Sequence, residues 1–405
     1  MAVGPGTLPE FHPVAGFKLG TASAGIKTPG RRDLVLMEMP ADASVAGVFT
    51  KNAFCAAPVQ ICKRHLQETS ARYFVVNTGN ANAGTGQEGW DDAATTCAEV
   101  AALTGVKDAA VLPFSTGVIG EKLPVEKIVA ALPAAQAALT ESGWAEAAEG
   151  ILTTDTRPKG ASEQFEYNGQ TITVTGISKG SGMIKPNMAT MLGYVATDAK
   201  VESELLQALL SKSADQSFNR ITVDSDTSTN DSCMLVATGA SGVLVSEDDQ
   251  ALLSAFTEVL DRVMRDLAHA IVRDGEGATK FVTVAVDSAA HQREALTVAY
   301  DIAHSPLVKT ALFASDPNWG RILAVVGRAE VENLDLDALQ IYLGDVCIVE
   351  NGGRAASYTE EAGQAVMDQE EITIRVVLNR GDVSETVWTT DLSHDYVSIN
   401  ADYRS

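Results

Sequence analysis

The residues with the most chemistry to offer sit in one run near the middle, KGSGMIKPNMATMLGYVATD, from Lys179 to Asp198. A loop with Gly180, Gly182 and Pro186 leads to Ala189 and Thr190, and the apolar Met191 to Val195 follows. The pattern predicts a short buried strand leading to a helix. Cleavage of the Ala189–Thr190 bond would make Thr190 a new N-terminus, with its hydroxyl beside its own α-amine. A free α-amine has a pKa of about 7.7–8.0, so a useful fraction is neutral near pH 7 and can accept the hydroxyl proton. By residue type alone, a threonine in a strand simply pairs with its neighbours.

A second group lies upstream in Ser115-Thr116-Gly117-Val118-Ile119-Gly120. Without a Cβ, Gly117 can turn its backbone N–H toward a ligand, and Thr116 adds a hydroxyl donor. Two convergent donors suit a tetrahedral oxyanion, although the same residues also make an ordinary turn. Gly84-x-Gly86-x-x-Gly89 imitates a dinucleotide fingerprint, but it starts seven residues after Asn77 and no strand ending in an acidic residue follows. Asp224, Asp226, Ser228 and Asn230 imitate a calcium loop. The imitation fails at Thr229, where glycine is needed, and at Leu235, where glutamate is needed.

Composition narrows the classes. The 405 residues are 45% hydrophobic and 20% charged, a globular balance. A net charge of −23, from 30 basic and 53 acidic residues, argues against nucleic acid or an anionic membrane as partner. Five scattered cysteines without a C-x-x-C suit a reducing compartment, and six dispersed histidines form no zinc pattern. No metal or other cofactor is expected. The first residues, MAVGPGTLPEFHP, have neither basic region nor apolar run, and no stretch of 18 apolar residues exists anywhere. A cytoplasmic protein is expected.

The run around MIKPNMATML resembles the processing and nucleophile segment of the ornithine acetyltransferases, the glutamate N-acetyltransferases of arginine biosynthesis. The similarity extends from Val48-Phe49-Thr50 to the C-terminus. It implies an α+β fold, a layered α/β/β/α sandwich with the N-terminal-nucleophile threonine between the layers. It implies self-cleavage into an alpha chain, 1–189, and a beta chain, 190–405, that share one fold and pair into an α2β2 heterotetramer. It assigns Thr190 as nucleophile and, through its amine, general base, and Thr116 and Gly117 as the oxyanion hole. Substrate contacts fall on Thr153, Lys179, Thr190, Glu276, Asn400 and Ser405. The implied substrates are N-acetylornithine and glutamate, with acetyl-CoA left open as a second donor. A hydrolase of the same architecture, an N-terminal-nucleophile aminopeptidase or amidase, is the nearest alternative. An oxidoreductase at the Gly84–Gly89 loop and an uncleaved amino-acid-binding protein are the others.

These residues need elements to hold them. The sequence predicts strands over 45–50, 73–76, 109–113 and 171–177, and helices over 90–103, 125–139 and 143–150. It predicts a long amphipathic helix from Leu252 to Ile271, stopped by Asp274-Gly275-Glu276-Gly277. Glu276, between two glycines, reads as a solvated turn residue. Ser315 or Asp316 is the expected cap of a helix with Pro317 in its first turn. Strands over 372–378 and 383–388 are expected to form a hairpin across Asn379 to Asp382.

Overall fold

The computed structural model describes residues 2–185 and 191–402, so Ala189, Thr190 and Ser405 lie outside the described residues. The chain divides into two compact units: Thr7–Asn219 with Asp226–Ile271, and Met1–Gly6 with Arg220–Ser225 and Val272–Ser405.

In the larger unit, one sheet contains β1 (Lys18–Ala22), β2 (Leu34–Glu38), β4 (Tyr73–Asn80) and β5 (Val111–Val118), in that spatial order. The other runs β3 (Ser44–Phe49), β10 (Ser232–Ala237), β8 (Leu192–Thr197), β7 (Gln170–Lys179) and β6 (Lys159–Tyr167). A short parallel pair, β9 (Lys200–Val201) and β11 (Leu244–Val245), stands apart. The helices are α1 (Ala57–Glu68), α2 (Gly86–Thr104), α3 (Val125–Ala137), α4 (Trp144–Gly150), α5 (Ser203–Gln216) and α6 (Gln250–Arg273), the last running on into the other unit.

The layering follows from side-chain alternation along each strand. On β2, Val35 and Met37 face the second sheet, whereas Leu34 and Leu36 face α1, α2 and α3. On β4, Phe74 and Val76 point inward and Tyr73 and Val75 point to the helices. Tyr194 and Leu192 of β8 and Met234 and Val236 of β10 complete the core between the sheets. There Phe114 meets Tyr194 edge-on at 5.3 Å between ring centroids. Leu267 of α6 covers the other face of the second sheet at Gly176. This unit is an α/β/β/α sandwich, and the fold is α+β.

The smaller unit carries a sheet ordered β15 (Gly353–Arg354), β14 (Val346–Glu350), β13 (Gln340–Leu343), β16 (Glu371–Val377), β12 (Phe281–Ala289) and β17 (Val383–Thr390). Its helices are α7 (Gln292–Ala303), α8 (Pro306–Phe313), α9 (Trp319–Arg328), α10 (Glu360–Met367) and α11 (His394–Ala401). Val282, Val284 and Val286 of β12 pack with Val298 and Ile302 of α7 and Val325 of α9.

Three local expectations change. β16 and β17 are not a hairpin, because β12 lies between them, parallel to β16 and antiparallel to β17. The 378–381 turn instead arches over the end of β12, with Leu378, Arg380 and Gly381 donating to the carbonyls of Asp287 and Ser288. The cap of α9 is Asn318, which accepts from the Arg321 N–H at 3.1 Å, and Pro317 precedes the helix. Finally, α2 starts at Gly86, so Gly89 lies within its first turn.

Candidate active site

In the larger unit the expected oxyanion donors lie at the end of a strand, not in a free turn. Thr116 and Gly117 sit near the C-terminus of β5, beside Thr78 and Gly79 of the parallel β4. A bulge follows, where Asn80 faces both Thr116 and Val118. Gly117 has φ of 134°, and a Cβ there would fall 2.3 Å from the Gly79 carbonyl carbon. No other residue type fits.

The loop before β10 pins this strand end from the side. The Asn230 amide donates to Ala81 O at 2.6 Å and to Ser115 O at 2.9 Å. Thr50 donates through its backbone N–H to Asp231 O, and through its hydroxyl to Ser228 O at 2.8 Å. Ser228 to Asp231 therefore form a buried polar bracket, whereas Ser225 and Asp226 are exposed. Among the described residues no group of three His, Cys, Asp or Glu could hold a metal ion.

Lys179, the last residue of β7, reaches this point. Its Nζ donates to Thr153 Oγ1 at 2.6 Å and to Thr116 Oγ1 at 3.3 Å. An ammonium has only protons to give, so Thr116 must accept from it and aim its own proton elsewhere. That leaves the Thr116 proton available to a developing oxyanion.

The residue organising Lys179 is Asp155, buried behind it. Asp155 accepts from Lys159 Nζ at 2.6 Å, from the Gly180 N–H at 2.7 Å and from the Thr153 N–H at 3.1 Å. Its Oδ2 lies 3.7 Å from Lys179 Nζ. Burial alone would raise the carboxyl pKa, but the two lysines and the Gly180 amide outweigh it and hold it well below the usual carboxylate range. Arg31 anchors the same turn by donating to Leu152 O at 2.6 Å.

Asp231 is the opposite case. It is 2% exposed, and burial drives its pKa well above the ordinary value despite Ser228, the Met191 amide and Lys179. Among the described residues its Oδ2 has no hydrogen-bond partner. The parallel pairing of Ser232 with Leu192 sets Asp231 alongside Met191, the residue that follows Thr190 in the chain. Thr116, Lys179, Met191, Leu192, Ser228, Asn230 and Asp231 line a cavity of about 30 Å³.

In the smaller unit, Glu276 is 7% exposed and accepts from the Asn400 amide at 2.8 Å. The expectation of a solvated Glu276 is thus overturned. Gly277 has φ of 71°, and a Cβ there would meet Ser393 Oγ at 2.5 Å, so α11 closes tightly over the turn. Ser393 donates to Gly277 O at 2.7 Å, and Asp391 accepts from the Thr279 and Lys280 amides. Lys309 of α8 lies buried below and donates to Thr389 Oγ1 at 3.1 Å and to Thr390 O. Burial lowers its pKa to about 8, with Asp391 and Asp224 pulling the other way.

The structure therefore gathers Thr116, Gly117, Thr153 and Lys179 in one unit and Glu276 with Asn400 in the other. Asp155, Asp231 and Lys309 were not foreseen. Asp155 stands in a Thr-Thr-Asp-Thr run that reads as helix capping, and Lys309 is a single charge on an apolar helix. Only an acidic residue just before the largely apolar strand Ser232–Ala237 hinted at Asp231.

Comparison with known proteins gives a consistent picture. The ArgJ family profile matches residues 18–405. The arginine biosynthesis bifunctional protein ArgJ of Pseudomonas fluorescens (strain Pf0-1) is 61% identical over 406 residues, covering 100% of both chains. The protein of that name from Pseudomonas syringae pv. tomato (strain ATCC BAA-871 / DC3000) is also 61% identical, again over 100% of both. Among solved structures, arginine biosynthesis bifunctional protein ArgJ from Bacillus halodurans is 37% identical, with a TM-score of 0.49. That match covers 51% of this chain and 97% of the other.

Proposed function

Because the chain belongs to the ArgJ family, we propose that it is a glutamate N-acetyltransferase of arginine biosynthesis, working through Thr190. The observation that carries the reading is the 61% identity to arginine biosynthesis bifunctional proteins over the whole chain. The arrangement around Thr116 and Lys179 supports it.

In this reading the precursor is cut between Ala189 and Thr190 into an alpha chain and a beta chain that stay together, two of each per molecule. The α-amine of Thr190 takes the proton from its own hydroxyl, and the oxygen attacks the acetyl carbonyl of N-acetylornithine. Thr116 and Gly117 donate to the oxyanion. The C–N bond breaks, ornithine leaves with the proton, and the acetyl group remains as an ester of Thr190. The amine of glutamate then attacks the ester. N-acetylglutamate forms and the threonine oxygen recovers its proton. Lys179 and Thr153 serve the polar end of the amino-acid substrate, and the Glu276 carboxylate suits the side-chain ammonium of ornithine, with Asn400 and Ser405 as further substrate contacts. The word bifunctional in the relatives' names is the ground for including acetyl-CoA as a second donor.

The test is an intact mass spectrum under denaturing conditions, joined to transfer of acetyl from N-acetylornithine to labelled glutamate. Two chains, one starting Thr190-Met191-Leu192, with labelled N-acetylglutamate as product, are expected. Thr190→Ala should give one uncut, inactive chain, and normal cleavage of that variant would refute the nucleophile assignment. Release of free acetate without transfer would mark a hydrolase instead.

A further inference from the structure

The run Asn77-Thr78-Gly79-Asn80-Ala81-Asn82 ends β4 and continues just past it, and the proposed chemistry leaves its three asparagines without a role. Their exposures are 4%, 3% and 0%. A buried amide is costly unless its donor and its acceptor are both used. Here both are, and most of the bonds leave β4. Asn77 accepts from the Ser115 hydroxyl at 2.5 Å and donates to Asn80 O at 2.9 Å. Asn80 donates to Glu121 O at 3.2 Å and to Lys122 O at 3.0 Å, and accepts from the Asn82 N–H at 2.8 Å. Asn82 accepts from the Thr85 hydroxyl and donates to Gly89 O at 2.8 Å, which anchors the run on α2.

These bonds fall on either side of one dipeptide. Ser115 directly precedes Thr116, and Glu121 and Lys122 lie in the loop that leaves β5 after Gly117. The ladder alone does not fix Thr116-Gly117, because the register between β4 and β5 breaks at Gly79 and Asn80. At a bulge the chain bends and re-aims its groups, so the direction of a donor there is set by whatever holds the flanking residues. A buried polar network with every member satisfied is rigid. Apolar side chains of the same shape would fill the space but would leave the bulge free to take another geometry.

We propose that Asn77 and Asn80 are positioning residues for acyl transfer. Asn77 acts through Ser115 and Asn80 through the Glu121–Lys122 backbone, and together they aim the Thr116 hydroxyl and the Gly117 N–H. Both work through β5 and not on the substrate. This rests on the oxyanion role given to Thr116 and Gly117 above. An oxyanion donor is effective only when it is already in place as the charge develops, so a small displacement of β5 lowers the rate without weakening substrate binding.

The test is Asn80→Asp in the full-length, fully processed protein. It keeps the shape and the bond from the Asn82 N–H, and sets a carboxyl oxygen against the Glu121 and Lys122 carbonyls. The kcat for acetyl transfer from N-acetylornithine to glutamate should fall about 10²-fold, with the KM values for both substrates unchanged. The same substitution in a Thr116→Val background should cost less, because one of the donors that it misaims is already gone. A wild-type kcat in Asn80→Asp, or an equal loss in both backgrounds, would overturn the inference. Should Asn80→Asp fail to fold, Ser115→Ala makes the same decision, since it removes one hydroxyl and frees β5 from Asn77. A lower kcat at constant KM supports the proposal, and wild-type kinetics sink it. Thr116→Val alone separates the two failures. If it turns over like the wild type, the oxyanion reading is wrong and the inference falls with it. If it is slow while Asn80→Asp and Ser115→Ala are normal, only the positioning role is wrong.

Discussion

Thr116 tests most directly how the site handles charge. Its hydroxyl accepts from Lys179 at 3.3 Å, so its own proton points elsewhere, and in the proposed mechanism that proton goes to the oxyanion. Thr116→Val keeps the shape and removes that donor. Turnover should fall about 10²–10³-fold with little change in KM, read by steady-state kinetics on the processed variant. Asp155 acts one step further back. Its pKa is lowered in the folded protein, so the stability it contributes is fully present above the unfolded carboxylate value near pH 4 and is lost as pH falls below it. Asp155→Asn removes the buried carboxylate shared by Lys159 and Lys179 and should cost about 3–5 kcal/mol at neutral pH. Its denaturant midpoint should also depend less on pH below 4 than that of the wild type. Residue types alone indicated which atoms could act as donors. They did not reveal that Thr116 lies in a strand, or that Asp155 and Asp231 flank the site with opposite protonation tendencies. Those facts arise from contacts between positions dozens of residues apart.

At the scale of elements, periodicity was a good guide wherever a segment buries one clear face. The long helix from Gln250 to Arg273 and the helices over 125–137 and 144–150 lie close to where the sequence places them. The hairpin expectation failed because two apolar strands joined by Asn-Arg-Gly-Asp look the same whether they pair directly or flank a third. Nothing local encodes the insertion of β12. The capping of α9 failed for a smaller reason, since Ser315, Asp316 and Asn318 are all competent caps. The segment from Thr389 to Ser393 leads into α11 and Asn400, and buried Lys309 braces it. Because folding lowers the Lys309 pKa to about 8, the unfolded chain holds more protons between that pH and its ordinary value of 10.5. The Lys309 contribution to stability therefore rises with pH across this window. Lys309→Met should flatten that rise in denaturation experiments from pH 7.5 to 10.5. Loss of activity in the same variant, with Glu276 untouched, would locate its effect in the placement of α11.

The largest scale concerns how the chain is shared out. The larger unit takes strands from both sides of Thr190: β7 lies before it in sequence, β8 and β10 after it, and all three are neighbours in one sheet. The sequence resemblance carried the sandwich architecture. The division into Thr7–Asn219 with Asp226–Ile271 and the remainder was not legible, because no Pro/Gly-rich linker marks it. In β7 and β8, Lys179 faces Leu192 and Val174 faces Thr197, so the strands stay bonded to one another whatever happens to the connection between them. A cut at Ala189–Thr190 would therefore leave the native contacts almost intact while changing the order of the reverse reaction. The uncut Thr190→Ala chain refolds as one molecule, at a rate indifferent to dilution. A cleaved protein, once denatured, would have to reassemble from separate polypeptides, so its recovery should slow and fail as concentration drops. Maturation of this kind would make the native state one the protein reaches easily only once, held thereafter by the height of its unfolding barrier more than by any equilibrium with its parts.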